Sequence, residues 1–107
     1  MKNKIAFLLF LFTLSVGFSQ EEKKDFADIR IEKTSESVTY IFESNYFIDE
    51  FKAPLKENRL KYFFPYLKTI SIDHTTQIVS VTFPLKLTDD EIIKLIYHFK
   101  YSTYEIN

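Results

Sequence analysis

Asp49, Glu50 and Asp73, together with His74, are the residues best suited to a hard metal ion, since carboxylates and imidazole suit Zn, Ni or Mn. Their spacing does not demand a site. The element order derived below also places the loop carrying Asp49 and Glu50 at the opposite end of the sheet from the turn carrying Asp73 and His74. The expectation is solvated loop charges, with no metal ligand and no cofactor. His98 shares a helix face with Glu91 and Lys94 and is expected to be an exposed polar residue. A nucleophile triad needs a His oriented by an acid and facing a Ser, and neither His is so placed; no catalytic residue is assigned and the chain is not expected to be an enzyme. Asp89-Asp90-Glu91 resembles a set of paired catalytic carboxylates, but a helix N-terminus favours negative charge and explains it without chemistry.

Tyr62-Phe63-Phe64-Pro65-Tyr66 is a different kind of feature. Four aromatics within five residues cannot all turn inward, so at least one of Tyr62 and Tyr66 should be partly exposed. Exposed aromatics are enriched in interfaces, which makes Tyr62 and Tyr66 the candidate partner-binding residues. The plainer alternative is that both rings lie on the rim with their hydroxyls in water.

Composition narrows the field further. Lys2 and Lys4 precede an apolar run from Ile5 to Leu14, which Ser15, Gly17, Ser19 and Gln20 close, and Glu21 to Asp25 is a block of charge. This is the pattern of a secretory signal peptide, too short to span a bilayer, with small residues at Gly17 and Ser19 placing the cut after Ser19. Residues 1–19 are therefore expected to be removed and the protein to be periplasmic or secreted, without a lipid anchor because the chain has no Cys. The remaining 88 or so residues suffice for one domain. They carry 12 Lys+Arg against 15 Asp+Glu, a net −3 that argues against nucleic acid or an anionic membrane as partner. With no disulfide to staple a small exported domain, stability must come from packing, and eight Phe and seven Tyr beyond Ser19 supply the surface. The only Gly, Gly17, lies in the signal, so glycine-rich phosphate loops and dinucleotide fingerprints are excluded.

The elements that position these residues follow from periodicity. Residues 20–36 read as a charged tether, within which Ile29 and Ile31 alternate with polar neighbours over Ala27 to Glu32. That segment is either an edge strand hairpinned onto the next or a linker. Val38 to Phe42 is a strand. Ile48, Phe51 and Leu55, then Leu60, Phe63, Phe64 and Leu67, recur at helical spacing, predicting an amphipathic helix between Asp49 and Phe64 that becomes regular near Ala53 and ends by Pro65. Thr69–Asp73 and Ile78–Phe83 form a hairpin with alternate residues buried. Thr88-Asp89-Asp90-Glu91 is a capping box for a helix whose inner face holds Ile92, Leu95, Ile96 and Phe99, with Leu87 stapled onto Ile92. Ser102 to Ile106 is a last strand. The expected core is Tyr40, Phe42, Ile70, Ile72, Val79, Val81, Ile92, Leu95, Ile96 and Phe99. The order over residues 37–107 is βαββαβ, for which an α+β ferredoxin-like sandwich, an antiparallel sheet with two helices on one face, is the simplest fold.

From Thr69-Ile70-Ser71-Ile72-Asp73 through Ile78-Val79-Ser80-Val81-Thr82-Phe83, Thr88-Asp89-Asp90-Glu91-Ile92-Ile93 and Tyr104-Glu105-Ile106, the chain resembles the heavy-metal-associated domain of copper chaperones and metal-transporting ATPases. The resemblance covers Val38 to Ile106 and rests on apolar pattern and element spacing. In that family two cysteines in the loop after the first strand hold a soft metal. Here that loop reads Glu43-Ser44-Asn45-Tyr46-Phe47-Ile48-Asp49-Glu50 and runs about three residues longer to the second strand, so no metal ligand carries over. The resemblance implies a member without the thiolate site. Together these readings predict a small exported, non-catalytic module that binds a protein partner through a sheet edge or its aromatic rim. The alternative is a periplasmic metal-handling protein with a non-thiolate carboxylate/His site.

Overall fold

The computed structural model describes residues 26–107; the expected signal peptide and the start of the tether lie outside them. The described chain is an α+β unit in the order β1 (Phe26–Lys33), β2 (Val38–Glu43), α1 (Lys52–Phe63), β3 (Thr69–Asp73), β4 (Ile78–Phe83), α2 (Asp89–Tyr97) and β5 (Thr103–Ile106). The strands form one five-stranded sheet ordered β3-β4-β2-β1-β5. Every pairing is antiparallel except β1 with β5, which is parallel, in register from Phe26 opposite Thr103 to Ile29 opposite Ile106.

Two expectations need correction here. The sheet is mixed rather than antiparallel, with one strand more than βαββαβ supplies. The segment Ala27 to Glu32, read as an edge strand or a linker, is an interior strand and part of the folded unit. β1 pairs with β2 on one side through a tight polar turn, in which the Thr34 N–H donates to the Ser37 carbonyl (2.9 Å) and the Glu36 N–H to Thr34 Oγ1 (3.2 Å). That turn places β1 where the last strand of an all-antiparallel sheet would lie, and β5 then pairs outside it. Ala27 and Ile29 are accordingly fully buried.

One face of the sheet makes the core. Val38, Tyr40 and Phe42 of β2 and Val79, Val81 and Phe83 of β4 point to it, as the period of two dictates, and meet Ile92, Leu95, Ile96 and Phe99 from α2. The rings interlock edge to face, Phe42 with Phe99 at 5.2 Å and Tyr40 with Phe83 at 6.0 Å between centroids. Burying the Tyr40 hydroxyl would be costly unpaired, and it accepts the Leu87 N–H at 2.8 Å. Of the expected core only Ile70, on edge strand β3, is half-buried rather than buried. Leu60 and Phe64 from the α1 region and Tyr101 after α2 complete it. The opposite face is polar, with the Thr39 and Thr82 hydroxyls paired across strands at 2.8 Å.

α2 starts as its sequence dictates. Thr88 Oγ1 accepts the Glu91 N–H (3.2 Å), and Glu91 Oε1 accepts the Thr88 N–H (2.8 Å). At its other end the Tyr101 N–H reaches back to the Ile96 carbonyl (3.2 Å) around Lys100, whose φ is 71°. This is a glycine-type helix stop built with a lysine.

Candidate functional site

α1 is apolar on two opposite sides. At 3.6 residues per turn, Ala53, Leu60 and the following Phe64 face the sheet and are buried. Phe51, Leu55 and Tyr62, at i, i+4 and i+11, fall on the far side and are 76%, 68% and 79% exposed. The periodicity of Ile48, Phe51 and Leu55 predicted an inward face; instead Ile48 is buried from the preceding loop, while Phe51 and Leu55 point outward. Asp49 Oδ1 opens the helix by accepting the Phe51 and Lys52 N–H groups at 3.0 and 2.8 Å. Lys52, Lys56, Arg59 and Lys61 stand on α1 against a single acid, Glu57, so cations that the overall charge balance conceals gather on this one helix. Glu57 is committed elsewhere: Oε2 accepts the Ile72 N–H at 2.9 Å, covering a donor on the open edge of β3.

Tyr62 and Tyr66 differ in role. Tyr62 is the more exposed and stacks edge-on with Phe63 at 5.3 Å. Tyr66 is half turned in against Phe83 (5.5 Å) and donates its hydroxyl to Glu91 Oε2 at 2.6 Å. Partial burial and that bond push the Tyr66 phenol up to about 12, while the same hydrogen bond, with that from Thr88, holds the Glu91 carboxyl below its ordinary range. Tyr66 therefore ties the α1–β3 connection to the cap of α2. Tyr104 similarly donates to Asp89 Oδ1.

His98 is half-buried rather than exposed. It lies against Phe63 (5.2 Å) and Phe64 (6.2 Å), and burial, with Lys56 and Arg59 nearby, lowers its pKa. The metal candidates also sit differently from expectation. Because β2 ends opposite the start of β4, the first loop and the hairpin turn share one end of the sheet. Gln77, at φ 66°, clamps the two: Oε1 accepts the Ile48 N–H (2.8 Å), and Nε2 donates to the Ile48 carbonyl (2.9 Å) and the His74 carbonyl (2.6 Å). His74 Nε2 and Glu50 Oε1 come within 3.9 Å. Asp73 turns instead to the Thr75 N–H at 2.8 Å, and that bond lowers its pKa. Among the described residues no three His, Asp or Glu side chains are grouped as a metal would need.

Compared with family models, curated proteins and solved structures, the chain matches none.

Proposed function

We propose that this chain is an exported, non-catalytic interaction module that docks a protein partner on the outer face of α1, and that its fold is a ferredoxin-like unit enlarged by β1. In this reading β5, parallel to β1, keeps the antiparallel sense to β2 that the last ferredoxin-like strand would have, one position further out. The kinship with the heavy-metal-associated family is carried by the element order from Val38 onward.

The observation that carries the docking reading is the second apolar face of α1. A helix on the surface of a small domain needs one apolar stripe to fold, and Leu60 with Ala53 provides it. Phe51, Leu55 and Tyr62 are large, adjacent and outward, a combination typical of binding surfaces. Lys52, Arg59 and Lys61 flank this stripe, which fits a partner with an apolar strip bordered by acids and disfavours a second copy meeting the same face, because like charges would oppose each other. A metal-handling reading would rest on Glu50 and His74, two ligands where a resident Zn takes three or four from the protein.

The test is a photoreactive amino acid placed at Leu55, and as a control at Ser71 on the polar face of the sheet, in the cells that make the protein. A single discrete adduct from position 55, absent at 71 and lost when Phe51 and Tyr62 are changed to Ser, is the expected outcome. Equal labelling from both positions would overturn the reading.

A further inference from the structure

We propose that the cleft between α1 and the C-terminal end of α2 is a binding site for an acidic peptide segment, whose carboxylates are held by Lys56, Arg59 and Lys100. This deepens the docking reading and rests on it, since the cleft adjoins the aromatic rim: Tyr62 touches Phe63, and Phe63 touches His98 at the cleft wall.

The cleft encloses about 640 Å³ and is lined by those three cations together with Tyr97, His98 and Tyr101. Lys56 Nζ and Lys100 Nζ lie 5.6 and 5.4 Å from the centroid of the same ring, Tyr46, so both ammonium groups pack on one aromatic. None of the three has an acidic counterpart: among the described residues the ion pairs are Arg30 with Glu32 and His74 with Glu50, both elsewhere. Like charges gathered without counter-charge work against folding, and they focus potential in a concave site where an incoming carboxylate meets it.

Lys100 adds an independent sign. Its φ of 71° is the left-handed conformation that ends α2, where glycine sits without steric cost and a side chain does not. The fold needs only a residue at that position; what lysine adds is a cation in the cleft. Arg59 contributes a planar fork suited to a carboxylate, and Tyr97, 75% exposed, contributes an apolar wall for the peptide's stem atoms. Seating is thus charge-directed.

His98 serves as a reporter built into the wall. It faces Lys56 and Arg59 of α1 and the rings of Phe63 and Phe64, and its pKa is lowered first by burial and then by the two cations. A carboxylate seated among those cations offsets their effect and raises it. His74, beside Glu50 at the hairpin turn, is the internal control.

The experiment follows both imidazoles by NMR through a pH titration, with hexaglutamate peptide, with inorganic phosphate and with sodium chloride, all at matched ionic strength. Hexaglutamate is expected to raise the His98 midpoint by roughly half a pH unit beyond the salt control, with His74 unmoved and phosphate giving a smaller shift. Two variants keep the result interpretable. Lys100→Gly should raise the melting temperature yet weaken hexaglutamate binding at least fivefold, and Arg59→Gln should weaken it comparably without altering the fold. His98 following the salt control, an equal response to phosphate, or full binding retained in both variants would overturn the proposal. None of these measurements uses the partner that docks on Leu55, so failure of the cleft and failure of the docking face are read separately.

Discussion

Tyr66 and Gln77 show how much one side chain fixes in this molecule. Tyr66 is neutral in its bond to Glu91, and its phenol titrates near 12 instead of near 10. The stability it contributes is therefore complete below pH 10 and is lost as pH rises from about 10 towards 12. Tyr40 and Tyr101 are also pushed up, mainly by burial, and Tyr104 by its bond to Asp89, so tyrosinate absorbance should show several late-titrating phenols, of which Tyr66→Phe removes one; a Tyr66 midpoint near 10 would contradict the bond. The Gln77 side chain makes three hydrogen bonds across two loops from a left-handed backbone, so Gln77→Ala keeps the conformational cost and loses the clamp. A loss of about 1–3 kcal/mol in chemical denaturation is expected, as for other buried polar groups left unpaired. Neither partnership was legible in the sequence. The exposure of Tyr62 and Tyr66 was, because four aromatics within five residues cannot all turn inward; that Tyr66 would reach Glu91, 25 positions away, depends on how α1 and α2 pack.

At the scale of elements, α2 and α1 are opposite cases. α2 has a capping box, an acidic first turn and one apolar face, so every local preference agrees and its start was readable to the residue. Thr88→Ala should cost about 1 kcal/mol by thermal or chemical denaturation, and no change would mean that the cap contributes nothing. α1 was readable as a helix but not in orientation, because Phe51 and Leu55 on one side and Leu60 and Phe64 on the other give apolar spacing on two faces, and periodicity cannot choose between them. The same ambiguity gives a sharp contrast. Leu60→Ala, at a fully buried site, should cost about 2–5 kcal/mol, whereas Leu55→Ala should stay within about 0.5 kcal/mol of the parent. Similar losses at both positions would show that the outer face is packed after all.

For the whole molecule, what escaped the sequence was strand order. β2, the β3–β4 hairpin and β5 were legible because each follows from alternation within a few residues. The place of β1 was not, since insertion between β2 and β5 is a choice among distant pairings that local pattern does not encode. Ile29 alternates with polar neighbours as an edge or an interior strand equally would, yet it is fully buried, so Ile29→Ala should be as damaging as a central core truncation, about 2–5 kcal/mol. The core closes on Ala53, Leu60 and Phe64 without the outer residues Phe51, Leu55 and Tyr62, and the account stands or falls on this separation between folding and binding. The most direct measurement is calorimetric titration of the partner recovered through position 55 against the parent protein and Leu55→Glu, with the melting temperature of each recorded alongside. The account predicts binding at least tenfold weaker in Leu55→Glu at an unchanged melting temperature; unchanged affinity, or a loss of affinity that merely follows a loss of stability, would contradict it.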